Sequence, residues 1–113
     1  MKSKISSLSK SEDFKNLLNG TKISNPYSTI FFKKLAPKSN KLLNVSFITK
    51  RKIGNAVKRN KIKRRLKNIM NEAVKKISIN FNYSYLIIAK STMLNDNYID
   101  IKEVLFESFK KIK

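Results

Sequence analysis

Apolar residues recur at every third or fourth position in three segments of the chain, and this period predicts three helices. The predicted helices cover 9–20, Asn55 to about Ile77, and 96–113. In the first, Phe14, Leu17 and Leu18 form one apolar face. The apolar stripes of the other two consist of Ile62, Leu66, Ile69, Met70, Ala73 and Ile77, and of Ile101, Val104, Leu105, Phe109 and Ile112. Each helix therefore has one face to bury against another element.

Polar residues near the predicted helix ends are of the types that cap helices. Ser11 is the predicted cap of the first helix and Asn55 that of the second. In the last helix, Asp100 and Glu103 stand near the positions of a capping box. These local signals agree with the helix positions that the apolar period indicates.

Segments rich in aromatic and β-branched residues lie between the helices and predict strands. They cover 27–35, 42–50 and 83–90, with a weaker candidate at Thr21–Ser24 and a turn at 36–41. In the second strand, one face consists of Leu43, Val45 and Phe47 and the other of Asn44, Ser46 and Ile48. The order α-β-β-(β)-α-β-α predicts an α+β fold, a single-domain α/β sandwich over 1–113 with a mainly central sheet. Residues 1–8 and 112–113 are expected to fray.

Positive charge indicates that this small domain has an anionic partner. Lysine and arginine number 26 against seven aspartates and glutamates, a formal charge of +19. Lys, Asn and Ile are abundant throughout, as A+T-rich codons produce, so the lysine number alone is a weak signal. The distribution is more informative, because no carboxylate occurs between Phe14 and Asn71 and all four arginines lie within 50–69. We therefore expect a polyanion, either nucleic acid or an anionic membrane.

The predicted long helix concentrates these cations on one face. Opposite its apolar stripe lie Asn60, Lys61, Arg64, Lys67, Asn68 and Asn71, flanked by Arg59, Lys63 and Arg65. A merely solvated face normally mixes signs in i,i+4 ion pairs, whereas no acid occurs here before Glu72. A membrane-bound helix would need a larger apolar face than the core leaves free. Reading of DNA in the major groove stays an alternative, but the neighbouring strands and the aromatic-rich sheet favour RNA.

The side chains needed for protein-borne catalysis are absent from the sequence or explained otherwise. The chain has no histidine and no cysteine, which leaves neither an imidazole acid–base group nor a thiolate metal site. Asp96 and Asp100 could share a helix face, but two surface acids do not by themselves indicate a metal site. We therefore expect no catalytic residue and no metal ligand in this chain.

Hydropathy favours a cytoplasmic location. No apolar run approaches the roughly 18–20 residues of a membrane span. The first residues, MKSKISSLSKSEDF, are basic but lack the apolar core of a secretory signal.

Several motifs, in order along the chain, resemble the protein subunit of bacterial ribonuclease P. The family centres on an Arg-Asn-Arg-like run, which here reads Arg59-Asn60-Lys61, with lysine at the position where arginine is usual. Further motifs that look like the family are KIGNAV at 52–57, SEDFKNLLNGTKISN at 11–25 and YLIIAK at 85–90. The resemblance covers about residues 8–110, nearly the whole chain.

The resemblance implies an accessory subunit of an endoribonuclease with two RNA-binding surfaces. Such a protein would bind the catalytic RNA subunit and precursor tRNA. The RNA subunit, which requires Mg²⁺, would carry out the hydrolysis that removes the 5′ leader. The RNA-subunit surface would comprise Arg51, Lys52, Asn55, Arg59, Asn60, Lys61, Lys63, Arg64, Arg65 and Lys67. The leader surface would comprise Phe14, Leu18, Thr29 and Phe31. The family also implies a left-handed β-α-β crossover, which periodicity does not predict; no cofactor on the protein alone, no membrane and no DNA are expected.

Two alternatives stay open. Small ribosomal proteins share the charge, the size and the basic helix, and only the ordered motifs favour ribonuclease P over such a structural RNA binder. Phe14 and Phe31 are also compatible with ordinary core packing, whereas aromatic faces in a basic surround suit single-stranded RNA. At Leu18 the family often has an aromatic residue, so the contact here would be apolar without stacking.

Overall fold

The computed structural model describes residues 5–6, 11–34, 43–80 and 82–112. Its helices are α1 (Ser11–Leu18), α2 (Ala56–Lys76) and α3 (Tyr98–Lys110), with 3₁₀ turns at Arg51–Ile53 and Ser91–Met93. Its strands are β1 (Ile5–Ser6), β2 (Thr21–Ser24), β3 (Ser28–Lys33), β4 (Leu43–Ile48) and β5 (Ser84–Ala89). The three predicted helices and the four predicted strands are confirmed, and their order is that of an α+β fold.

Both ends of the described chain join the fold at positions expected to fray. β1 lies within 1–8, and it pairs in parallel with Leu43 and Asn44 of β4. Ile112 has 6% of its surface exposed and packs in the core. The turn predicted at 36–41 lies outside the described residues.

The strands form one mixed sheet in the order β1-β4-β5-β3-β2. β4 and β5 are parallel neighbours joined through α2, which makes a β-α-β crossover. β3 pairs antiparallel with both β5 and β2. This topology agrees with the family resemblance, while the left hand of the crossover stays an expectation. Because β4 and β5 are parallel, the segments that follow their carboxyl ends meet at one edge of the sheet.

α2 and α3 cover one face of the sheet and build the main core with it. Its fully buried members include Ile30, Ile62, Leu66, Ile69, Tyr85, Ile87, Ile101 and Leu105. The predicted apolar stripes of both helices are therefore confirmed. The Tyr85 hydroxyl donates a hydrogen bond to the Asn80 carbonyl oxygen at 2.7 Å. Burial raises the pKa of Tyr85 above its ordinary value.

α1 covers the opposite face of the sheet, and only in part. Leu17 of α1 and Leu86 of β5 are fully buried there. The half-buried side chains packed against them are Phe14, Phe31, Ile48 and Ile88. Beside α1 the sheet therefore keeps an apolar but accessible surface.

Two asparagines cap the longer helices. The side-chain oxygen of Asn55 accepts the backbone N–H three residues on at 3.0 Å, which confirms the predicted cap of α2. In α3 the cap is Asn97, whose oxygen accepts the N–H two residues on at 2.8 Å. The helix therefore begins with Asn97 as its cap, and the capping-box positions expected for Asp100 and Glu103 are wrong. The side chain of Ser11 lies outside the described residues.

Candidate nucleic-acid interface

α2 separates an apolar face from a cationic one, as its sequence predicts. Its buried residues are Ile62, Leu66, Ile69, Met70 and Ala73. On the other side, the exposed residues are Asn60, Lys61, Lys63, Arg64, Lys67 and Asn68, while Asn71 is half-buried. The exposed cations Lys61, Lys63, Arg64 and Lys67 are called the cation strip below.

Within the described residues, no acid neutralises the cation strip. Glu72, the single carboxylate of α2, lies 3.1 Å from the ammonium of Lys102 on α3. Within α3, the carboxylate of Glu107 and the ammonium of Lys110 form an ion pair at 3.3 Å. Like charges three or four residues apart on a helix repel one another. A bound polyanion would therefore lower the free energy of this face.

Arg65 is held within the fold, although its sequence position placed it beside the cation strip. Its Nη1 donates to the backbone oxygen of Asp96 at 2.8 Å and to that of Met93 at 3.3 Å. Both acceptors belong to the segment between β5 and α3, so the guanidinium anchors the start of α3. A helical wheel identifies Arg65 as a flanking residue, but it does not show which neighbouring segment lies beside that flank.

The remaining predicted RNA-subunit residues lie around the start of α2. Arg51 and Lys52 are exposed in the 3₁₀ turn that follows β4. Asn55 is also exposed, but its side-chain oxygen is engaged as the helix cap. Arg59 is half-buried, and its Nε has no hydrogen-bond partner within the described part of the chain.

The four predicted leader residues lie along α1 and the sheet face that α1 covers. Phe31 pairs with Leu86 of β5, and Thr29 with the next residue of the same face, so both point toward α1. Phe14 and Phe31 are half-buried against the small apolar cluster. Leu18, one turn beyond Phe14, is 48% exposed. Phe14 and Phe31 therefore pack on the sheet, as core residues do, and also keep part of their surface accessible, as a binding surface requires.

A cavity of about 510 Å³ continues this surface toward the carboxyl ends of β4 and β5. The residues that line it are Thr29, Lys50, Lys52, Ile53, Ile88, Ala89, Lys90, Ser91 and Thr92. Thr29 belongs to the predicted leader surface and Lys52 to the predicted RNA-subunit surface. The cavity therefore lies where the two predicted surfaces meet, and lysines contribute to its lining.

The segment after β5 forms one wall of this cavity and is tied to the β2–β3 turn. The ammonium of Lys90 donates to the Asn25 carbonyl oxygen at 2.8 Å and to Ser24 Oγ at 3.1 Å. The Thr92 hydroxyl donates to the Pro26 carbonyl oxygen at 2.7 Å. These hydrogen bonds hold the segment after β5, which forms this wall of the cavity, against the turn between β2 and β3.

Sequence reasoning missed this wall, because residues 90–92 follow β5 without a periodic pattern. A signal was nevertheless present. Lys50 and Lys90 are each the last residue of a predicted strand, and carboxyl ends of parallel strands lie side by side. The β-α-β crossover that the family resemblance implies makes the strands before and after α2 parallel, and applying it would have placed both lysines at one edge.

The described carboxylates are dispersed over the surface. No three of them, in the part of the chain that the structure describes, lie close enough together to hold a metal ion. The carboxylate of Asp96 accepts a hydrogen bond from the Tyr27 phenol, which raises the pKa of Tyr27.

No helix among the described residues is long and apolar enough to cross a membrane.

Comparisons with known proteins agree on one family. Residues 2–113 match the model of the family Ribonuclease P. The chain is 35% identical over 109 residues to the ribonuclease P protein component of Carboxydothermus hydrogenoformans, covering 94% of this chain and 90% of that protein. It is 36% identical over 116 aligned residues to the ribonuclease P protein component of Fusobacterium nucleatum, covering 96% and 98%. Its fold is similar to that of the RNase P protein from Thermotoga maritima, with a TM-score of 0.80 at 22% identity, covering 96% of this chain and 98% of that one.

Proposed function

We propose, from the premise that this chain belongs to the ribonuclease P family, that it binds two RNAs with two surfaces. One partner is the catalytic RNA subunit, and the other is the 5′ leader of precursor tRNA. By holding both, the protein assists the endonucleolytic cut that produces the mature 5′ end of the tRNA. We place this activity in the cytoplasm, where precursor tRNA is processed in bacteria.

The cation strip, together with Arg51, Lys52 and Arg59, is the surface for the RNA subunit. Phosphate contacts by Lys and Arg release condensed counterions, which favours binding at moderate salt. Asn60 and Asn68 stand among these cations and supply hydrogen-bond groups for the sugar–phosphate backbone. The absence of an ion-paired acid along the strip, within the described residues, supports this assignment.

The leader surface runs from α1 across the open sheet face to the lysine-rimmed cavity. Phe14 and Phe31 offer partly exposed rings to unstacked bases, and such stacking tolerates any sequence. Lys50 and Lys52 stand at the far end, where the backbone of a bound strand would need positive charge. One observation carries this proposal: the half-buried aromatic face leads directly into a basic cavity.

Hydrolysis is assigned to the RNA subunit and its bound Mg²⁺. The chain has neither histidine nor cysteine, and we assign no catalytic role to its carboxylates. Its contribution is to reduce the repulsion between two polyanions and to position the substrate. High Mg²⁺ is therefore expected to replace part of the effect of the protein.

The leader surface is tested by replacing Phe31 with alanine in the holoenzyme. Loss of one base–aromatic contact is expected to weaken precursor tRNA binding by roughly fivefold to a hundredfold. Binding of mature tRNA should not change, because mature tRNA has no leader. The measurement is the Kd of each RNA, made with the assembled holoenzyme.

Two further variants separate stacking from packing. Phe31→Leu keeps an apolar side chain on Leu86 but removes the aromatic face, so it should lose most of the same affinity. Phe106→Ala changes a half-buried phenylalanine of α3 that packs against the main core, and precursor binding should be retained. Equal loss for precursor and mature tRNA, or unchanged precursor binding in Phe31→Ala, would contradict the leader assignment.

A further inference from the structure

The first two turns of α2 extend beyond the core. The first buried residue of this helix is Ile62, six residues after its start. The residues before it are exposed except for Arg59, which is half-buried. Val57 is 74% exposed, more than Leu18 at 48% or Ile99 at 56%, the other large apolar side chains that stand out on the described surface.

Val57 lies at the amino-terminal end of the cationic face, as the second residue of α2. It precedes Asn60, Lys61 and Arg64 by three, four and seven residues, so all four share one side of the helix. The buried stripe with Ile62 and Leu66 lies on the opposite side. An apolar side chain therefore shares the helix face that carries the groups that would contact phosphates.

Among the described residues, no packing in the core accounts for valine at this position. Single exposed apolar residues are common on protein surfaces, and exposure alone is not informative. However, valine is a weaker helix former than lysine or alanine, so it adds nothing to the helix itself. With most of its surface exposed, it also contributes little to the core.

We propose that Val57 makes an apolar contact with the RNA that the cation strip binds, against ribose carbons or a base. Lys61 and Arg64 on the same face would bind phosphates, and the groove surface beside a phosphate row consists of sugars and bases. The inference rests on the proposed function of α2 as the RNA-subunit surface. It assigns to Val57 a part of the affinity that is independent of charge.

Salt distinguishes this contact from those of the lysines. Counterion release makes the logarithm of the binding constant fall linearly with the logarithm of the salt concentration, with a slope set by the number of phosphates neutralised. Burial of an apolar side chain releases no counterions. Loss of Val57 should therefore shift this line to weaker binding and leave its slope unchanged.

The chain offers a matched control in Ile99. Val57 and Ile99 are both β-branched and exposed, and each is the second residue of a helix capped by asparagine, Asn55 or Asn97. Ile99 lies beside Asp100 on α3, a different helix from the one that carries the cation strip. Truncation of either residue should perturb its own helix equally.

The experiment measures the Kd for the cognate RNA subunit over a series of salt concentrations with the wild type, Val57→Ala and Ile99→Ala. We expect Val57→Ala to bind roughly fivefold to tenfold more weakly at every salt concentration, which corresponds to burial of the methyl groups that it lacks. Its line should be parallel to that of the wild type. Ile99→Ala should follow the wild type. Because alanine favours helix more than valine, fraying cannot explain the loss.

Each other outcome has a definite meaning. Unchanged binding by Val57→Ala would overturn the inference, as would equal weakening by both variants. A changed slope would mean that Val57 acts by placing the cations rather than by contact. If the wild type itself fails to bind the RNA subunit, the proposed function fails and not this contact alone.

Discussion

Leu66→Ala should lower the free energy of unfolding by about 2–5 kcal/mol, which is a large part of the roughly 5–15 kcal/mol that stabilises a domain of this size. Leu66 is fully buried in the stripe through which α2 packs on the sheet. Truncation removes apolar contacts and leaves a cavity between rigid elements, so the loss exceeds the transfer free energy alone. Chemical denaturation followed by circular dichroism measures this change.

The next residue, Lys67, provides the contrast. Its side chain is exposed on the cation strip, so Lys67→Ala should change stability by less than about 0.5 kcal/mol. The affinity of the Lys67→Ala variant for the RNA subunit should nevertheless fall, because one phosphate contact is lost. A large loss of stability in Lys67→Ala, or a small one in Leu66→Ala, would mean that α2 does not face the sheet as described.

Arg64→Ala and Arg65→Ala should affect different properties, RNA binding and stability respectively, although the two residues are adjacent. Arg64 is exposed on the cation strip, so its loss should weaken RNA-subunit binding about tenfold and reduce the slope of the salt dependence by about one. Arg65 donates two hydrogen bonds to the segment before α3, so its loss should lower the free energy of unfolding by about 1–3 kcal/mol. Its salt slope should stay close to that of the wild type.

Binding and denaturation measurements on both variants separate the two roles. The distinction depends on the observed contacts of Arg65, since both arginines look alike in the sequence. If Arg65→Ala reduced the salt slope as much as Arg64→Ala while leaving stability unchanged, the anchoring role of Arg65 would be refuted.

Elements with a long periodic signal could be predicted from the sequence. α2 extends over 21 residues with one apolar stripe and a local cap at Asn55, so its period and its boundary agree. The strands β3, β4 and β5 were predictable from aromatic and β-branched content between turn residues. In these segments, residues that are close together in the sequence determine the local structure.

Features that depend on distant neighbours could not be predicted in this way. β1 has only two residues and exists because β4 lies beside it. The role of Arg65 depends on where α3 begins. That start is set by the cap Asn97, whereas the sequence pattern suggested a capping box at Asp100 and Glu103. The cavity at the strand ends required the parallel pairing of β4 and β5, which no periodicity reveals.

Under the proposed function, this protein assists an RNA catalyst and does not cut RNA itself. The experiment that checks this is precursor tRNA cleavage at low Mg²⁺ with the cognate RNA subunit alone, the protein alone, and both together. We expect cleavage at the mature 5′ end only when both are present, with the RNA subunit alone gaining activity as Mg²⁺ is raised. Cleavage by the protein alone, or no gain when the protein is added to the RNA, would contradict the account.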